Sequence, residues 1–281
     1  MRLSSFKSVV SKYDVVFFDA FGVLKTHNAL IPGIEKTFAY LREQKKDFYV
    51  LTNDASRSPN ALAESYHRLG LYDIVPDCII SSGMLARDYL ELKVDGGTVA
   101  YLGTEKSAHY LETLGMKTLP IGELNLDFAH EVTALVMLDD EGFDWNRDLS
   151  KTVNLLRRRN IPVIVANTDR YYPMSPKYVS IAIGAVATMI EDIIGRHFIR
   201  FGKPDAQMFI FAYEHIKNYP DVSKKSILMV GDTLHTDILG GNKFGLDTAL
   251  VLSGNTQAKE AEVKIHTTGI IPTYICESAV I

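Results

Sequence analysis

Residues 15–26 read VVFFDAFGVLKT: four apolar residues, a lone carboxylate, then small and apolar residues around a glycine. Val15 to Phe18 has the β-branched and aromatic make-up of a buried strand. Asp19 then stands at the strand's carboxyl end, where open parallel sheets bind their ligands. Two residues on, Phe21 offers a ring that neither gives nor takes a proton.

The same pattern of short apolar runs alternating with helical stretches continues along the chain and signals parallel βαβ units. Strands are expected at 14–18, 48–52, 77–80, 98–102, 133–138, 162–166, 198–201, 226–230, 247–252 and 272–276. Ile34, Phe38 and Leu41 recur at helical spacing after the first strand. Ser58 followed by Pro59 reads as a helix cap and first turn, Leu62, Tyr66 and Leu69 share a face, and Gly70 stops the helix. Lys203-Pro204 is expected to open another helix, running to about Ile216. The stretch from about 84 to 182 carries strands and helices of its own. The expected fold is therefore α/β: a doubly wound, mostly parallel core from 1–83 and 183–281, with 84–182 inserted as a smaller α/β domain. Small residues at Ser81–Gly83 and Ile181–Gly184 suit the two crossings.

Composition narrows the function. The 281 residues include 30 Lys and Arg against 34 Asp and Glu, a formal charge of -4. That balance argues against broad nucleic-acid binding, which calls for a basic face. The longest apolar segment, near Val179 to Ile190, is interrupted by Ser180, Gly184 and Thr188 and is too short to span a bilayer. The beginning of the chain lacks the apolar stretch of a secretory signal, and its two cysteines suggest reduced thiols. A cytoplasmic protein without membrane or nucleic-acid partners is expected; a homodimer is one state the sequence allows.

Four polar groups follow strands: Asp19 after VVFF, Thr52 after FYVL, Lys203 after FIRF and Asp232 after SILMVG. Each has a bland reading as a turn or cap residue. Together, facing one crevice, they supply a nucleophilic carboxylate, a hydroxyl, an ammonium and a second carboxylate. Two carboxylates are hard oxygen ligands that suit Mg²⁺. Lys203 and Thr52, with the amides after it, would hold phosphoryl oxygens.

FFDAFGVL, LTNDASRS, FGKPDAQMF and VGDTLHTDILGG resemble, in order, the four motifs of the haloacid dehalogenase superfamily. IPVIVANTDRYYP is similar to a cap segment of its sugar-phosphate and nitrophenyl-phosphate phosphatases. The resemblance implies a Rossmann-type core under a large α/β cap, and hydrolysis of a small phosphorylated metabolite. It implies attack by Asp19 through an aspartyl-phosphate and Mg²⁺ held by Asp19, the Phe21 main-chain carbonyl, Asp232 and Asp237. Thr52, Asn53 and Lys203 would bind the phosphate, and Asp169, Arg170, Tyr171 and Tyr172 would reach the substrate from the cap.

Two positions depart from the pattern. The family's phosphatases carry at position 21 an Asp that protonates the leaving oxygen, and at position 54 an Asn where this chain has Asp54. A leaving group acidic enough to need no proton, or donation by Asp54 or His27, would reconcile the first with turnover. The competing readings are a phospholigand-binding protein that turns over poorly and a C–halogen hydrolase, whose halide leaves without a proton.

Overall fold

The computed structural model describes residues 2–175, 178–217 and 220–281. The chain opens with α1 (Phe6–Val10), β1 (Val15–Phe18), α2 (Ile34–Glu43), β2 (Asp47–Thr52), α3 (Pro59–Arg68), β3 (Ile79–Ser81) and α4 (Ser82–Lys93). A second stretch holds β4 (Thr98–Leu102), α5 (His109–Glu112), β5 (Lys117–Pro120), β6 (Val132–Met137), α6 (Arg147–Arg158) and β7 (Val163–Val165). It continues through a hairpin of β8 (Tyr171–Ser175) and β9 (Tyr178–Ile181), then α7 (Ile183–Ile194) and β10 (Ile199–Arg200). The remainder is α8 (Ala206–Glu214), β11 (Ile227–Gly231), α9 (Leu239–Phe244), β12 (Asp247–Val251), α10 (Ala258–Thr268) and β13 (Tyr274–Cys276).

Two parallel sheets result. One is ordered β13-β12-β11-β1-β2-β3, the other β10-β7-β6-β4-β5. In the first, β1 lies centrally with every residue buried, as its unbroken apolar run requires. Val16, Phe18, Val50 and Val230 pack on one face against Phe6, Phe38, Leu41 and Leu62 of the flanking helices. On the other face, Phe17, Leu51 and Met229 join Leu85 and Leu90 of α4 and Met208 and Phe209 of α8. That cluster runs on without a break to Val99, Tyr101, Val136 and Ile164 of the second sheet. The two sheets thus share one apolar interior. The outer face of the second sheet is closed by Leu155 of α6 and by Ile183, Val186 and Ile190 of α7. Among the described residues, no helix is long and apolar enough to cross a membrane.

The strand expected at 198–201 forms, but in the other sheet. Ile199 and Arg200 pair with Ile164 and Val165 of β7, not with the sheet that carries Asp19. Helix α7 goes with it, because its Ile183–Val186–Ala187–Ile190 stripe meets a matching apolar surface on β6 and β7. Residues 183–200 therefore pack with the second sheet, and the change of unit falls after Arg200 rather than at 182/183. At the other crossing, β3 runs straight into α4. Gly83 lies inside that helix, where an added Cβ would meet the Tyr110 ring at 2.5 Å, so its smallness serves close packing. Ser58 caps α3 as expected, accepting from the Ala61 amide at 3.3 Å. The helix expected at Lys203-Pro204 begins at Ala206, since Asp205 supplies the cap by accepting from the Gln207 amide. Strand β5 and the β8–β9 hairpin were not expected from the sequence pattern.

Candidate active site

Neighbouring parallel strands bring the first two carboxylates together. Phe18 of β1 pairs with Val230 of β11, so Asp19 and Asp232 leave adjacent strand ends side by side. Asp232 is buried and its positions are taken by close backbone. Its Oδ2 accepts from the Asn255 amide at 2.7 Å and its Oδ1 from the Thr233 hydroxyl at 2.7 Å. A Cβ on Gly254 or Gly22 would fall 1.9 or 2.1 Å from that Oδ2. Gly22 also has φ of +77°, so the glycine after Phe21 is required on both counts. Asp237 comes from the wide helical turn at Leu234–Ile238 and accepts from the Thr233 amide at 3.1 Å.

Lys203 closes the group. Its Nζ donates to Asp19 Oδ1 at 2.5 Å and lies 2.8 Å from Asp237 Oδ1. Burial alone would lower this ammonium, but the two carboxylates outweigh it and hold it above its ordinary value. Burial raises Asp232 well above the usual carboxylate range, with Asp19 and Asp237 adding to the effect. It pushes Asp237 up to about 7, against the pull of Lys203. Ligand atoms of Asp19, Asp232 and Asp237 lie within 4.8 Å of one another. Three carboxylates and one ammonium leave a formal charge of -2, and the donors are all hard oxygens. That set fits a small divalent cation better than a protein cation or a soft metal.

The remaining expected residues separate into two groups. Asp19, Phe21, Thr52, Lys203 and Asp232 line a cavity of about 720 Å³, and Asp169, Arg170, Tyr171 and Tyr172 meet them there from the second sheet's side. Asn53 does not face the cavity. Its side-chain oxygen accepts from the Lys203 amide at 2.7 Å, and its nitrogen donates to Lys203 O, Thr168 Oγ1 and Asp169 Oδ1 at 3.1, 3.1 and 2.9 Å. With Thr168 Oγ1 donating to Lys203 O at 2.7 Å, Asn53 ties the β2, β7 and β10 ends into one knot. Its side chain is taken up by Lys203 and the loop at Thr168–Asp169. Burial pushes Asp169 up to about 6, opposed by Lys203 and Asn53.

Around Phe21 the structure adds partners that sequence reasoning missed. The Tyr172 ring lies 6.5 Å from the Phe21 ring, and its hydroxyl donates to Asp140 Oδ2 at 3.1 Å. On another side, Lys25 Nζ sits 4.8 Å from the Phe21 ring centre and 4.6 Å from that of Tyr66. Lys25 is buried, which lowers its pKa. Position 21 is thus an aromatic contact between the two units, backed by a buried ammonium. Asp54 and His27 both reach the cavity wall, and Asp54 Oδ1 accepts from the Ser56 amide and hydroxyl at 2.8 and 2.6 Å.

Residues 16–117 match the family model for haloacid dehalogenase-like hydrolases, and residues 200–278 match a second model of HAD-hydrolase-like chains. A Cytophaga hutchinsonii protein described as a "possible sugar phosphatase, HAD superfamily" is 65% identical, superposes with a TM-score of 0.96, and covers 100% of this chain and 99% of its own. The chain belongs to the haloacid dehalogenase-like hydrolase superfamily. Within that superfamily it falls among the phosphatases. Bovine chronophin is 28% identical over 99% of this chain and 95% of its own length. Glycerol-3-phosphate phosphatase from Gallus gallus is 27% identical over 97% and 91%.

Proposed function

We propose that this HAD-superfamily phosphatase is a Mg²⁺-dependent phosphohydrolase of small phosphorylated metabolites, working through an aspartyl-phosphate at Asp19. The observation that carries the reading is the convergence of Asp19, Asp232 and Lys203 at the floor of one cavity, with Asp237 buried beside them. Asp19, Asp232 and the Phe21 carbonyl would hold the cation with Asp237 behind them. When bound, it supplies charge neutralisation for the phosphoryl oxygens and the carboxylate cluster.

Lys203 engages Asp19 Oδ1, and among the described residues nothing donates to its other carboxylate oxygen. That oxygen attacks phosphorus, the bond to the leaving oxygen breaks, and an acyl phosphate remains on Asp19. Lys203 orients the Asp19 carboxylate for the attack and offsets the phosphoryl charge. Water then hydrolyses the acyl phosphate and restores the carboxylate. The Thr52 hydroxyl, at the end of β2 and on the cavity wall, is placed to donate to a phosphoryl oxygen. The second sheet's loops at 138–141 and 167–172 roof the cavity and act as a cap that limits water.

Phe21 provides no proton, so the leaving group departs unassisted from that position. Aryl and acyl phosphates are accordingly the fastest class, and poor turnover of alkyl phosphates is the behaviour Phe21 favours. The test is hydrolysis of p-nitrophenyl phosphate with and without Mg²⁺, alongside Asp19→Asn. Turnover should require the metal and vanish in the variant, and a slow substrate should leave one phosphoryl group per chain on Asp19. Wild-type rates in Asp19→Asn would end the covalent mechanism; halide release without phosphate release would replace the reaction altogether.

A further inference from the structure

The end of β2 and the loop that follows it carry Thr52, Asp54, Ser56 and Arg57 to the cavity that holds Asp19. Most of this loop is fixed by its own side chains. Thr52 Oγ1 accepts from the Asp54 amide at 3.1 Å, Asp54 Oδ1 from the Ser56 amide at 2.8 Å, and Ser58 caps α3. At its start, Asn53 is tied to Lys203 and to Thr168 and Asp169 of the second unit. At its far end, the Arg57 carbonyl depends on one partner. The Tyr110 hydroxyl donates to it at 2.8 Å, and no other described residue does.

Tyr110 does not belong to the first sheet. It lies on α5, between β4 and β5 of the second, and its ring is buried in the interior that the two sheets share. The ring rests on α4 at Gly83, where a Cβ would stand 2.5 Å from it. Ser81 Oγ, at the end of β3, lies 2.7 Å from the same hydroxyl. A phenol has one proton to give and a carbonyl can only accept. Tyr110 therefore donates to Arg57 and accepts from Ser81. Burial raises the pKa of this hydroxyl, which keeps it a donor at any working pH. A phenylalanine would fill the same space. Packing accounts for the ring but not for the hydroxyl, and what the hydroxyl holds is the main chain of a loop on the cavity wall.

We propose that Tyr110 is a positioning residue for the substrate: through the Arg57 carbonyl it sets the shape of the loop that walls the phosphate site. This rests on the phosphatase reading above. Tyr110 does not line the cavity, so it acts through the loop and touches no reacting group. The loop is then held from the second unit at both ends, by Thr168 and Asp169 through Asn53 and by Tyr110 through Arg57. Asp54 and Ser56 lie between the two ties and face the cavity. Removing the hydroxyl frees the Arg57 end alone. Asp19, Lys203 and Asp232 keep their partners, so binding of the phosphate weakens while attack and metal binding do not.

The test is steady-state kinetics on p-nitrophenyl phosphate, with inorganic phosphate as a competitive inhibitor and a melting curve for each protein. Tyr110→Phe should raise KM about fivefold and the inhibition constant of phosphate by the same factor. Its kcat and its Mg²⁺ half-saturation should stay within about twofold of wild type. Ser81→Ala is the control. It removes the other bond of the same hydroxyl, leaves the one to Arg57, and should keep KM within about twofold even though its melting temperature also falls. Gly83→Ala crowds the ring and should shift KM in the same sense as Tyr110→Phe; it decides the matter if that variant does not fold. Unchanged KM in folded Tyr110→Phe, an equal change in Ser81→Ala, or a loss confined to kcat would overturn the role of Tyr110 and leave the phosphatase reading standing. Wild-type protein inactive toward every phosphomonoester would remove that reading and the role of Tyr110 with it.

Discussion

Replacing Phe21 with Asp is the obvious way to give this site a proton donor, and the structure predicts that the single change will not suffice. Lys25 Nζ lies 4.8 Å from the Phe21 ring centre. An aspartate carboxyl begins where the ring begins, so it would stand on the order of 5 Å from that ammonium. At an effective dielectric of about 20, two unit charges at that distance attract by roughly 3 kcal/mol. That is about two pKa units in favour of the carboxylate. A group held ionised near neutral pH is a poor general acid. Phe21→Asp alone should therefore raise alkyl-phosphate turnover by less than about tenfold. Phe21→Asp with Lys25→Met removes the ammonium and keeps an apolar side chain against Tyr66; it should gain on the order of 10² to 10⁴. The assay is kcat/KM on glycerol phosphate and p-nitrophenyl phosphate at saturating Mg²⁺, with a melting curve for each protein. In the double variant, dependence on leaving-group acidity should flatten. A full gain from Phe21→Asp alone, or none beyond it in a folded double variant, would refute the reasoning.

Three further outcomes follow from the geometry. Asp232→Ala should weaken Mg²⁺ binding and turnover together; unchanged affinity by calorimetry would remove Asp232 from the metal site. Asn53→Ala frees the Lys203 main chain and the Thr168–Asp169 loop, and should destabilise the fold by about 2 kcal/mol as buried partners lose their bonds, read from a denaturant midpoint. Asp139, pushed up to about 7 by burial and the neighbouring Asp140 charge, binds a proton more tightly folded than unfolded. Its contribution is therefore full at acid pH and is lost as pH rises from about 4 through about 7. Asp139→Asn should match wild type near pH 4 and exceed it by on the order of 2–4 kcal/mol at pH 8; an equal difference at both pH values would count against that burial effect.

Much of the first sheet could be read from the chain because its strands are apolar runs stopped by polar residues. Asp19, Thr52 and Asp232 sit where those stops fall, and a strand buried on both faces leaves little room for another assignment. Strand β10 shows the limit. Ile199–Arg200 is two residues long, and local sequence cannot say which of two sheets will accept so short a strand. Its partner is chosen by α7, whose apolar stripe fits β6 and β7. Strand β5, Lys117–Pro120, has one exposed and three half-buried positions, so no buried alternation marks it. The β8–β9 hairpin exposes Tyr178, Val179 and Ile181, which breaks the rule that apolar residues mark the interior. Asn53 was legible as a polar group after a strand but not as a clamp, since its partners lie 115 to 150 residues away. The Lys25–Phe21 contact also left no signal, because a lysine near an aromatic residue is ordinary in any sequence.

The placement of β10 changes what a moving cap would do to the chemistry. Were Lys203 a rigid extension of the second sheet, each rotation of that sheet would drag the ammonium away from Asp19 and leave buried carboxylates unpaired. Such a loss is costly, typically several kcal/mol. The main chain around Lys203 prevents it. Asn53, fixed at the end of β2, accepts from the Lys203 amide and donates to its carbonyl, so Lys203 is held by the first sheet even though β10 is not. A rotation of the second sheet would then be absorbed between Arg200 and Lys203. Gly202 lies there with φ of +127°, and a Cβ on it would come within 2.7 Å of the Asn53 side-chain oxygen. Only glycine meets both conditions, the unusual backbone angle and the close approach of the clamp. The nitrogen of the same Asn53 side chain reaches Thr168 and Asp169 on the substrate side, so the clamp that secures the ammonium also senses the roof of the cavity. The main chain of Lys203 and the loop at Thr168–Asp169 on the cavity's roof therefore meet in one amide, with Gly202 packed against it.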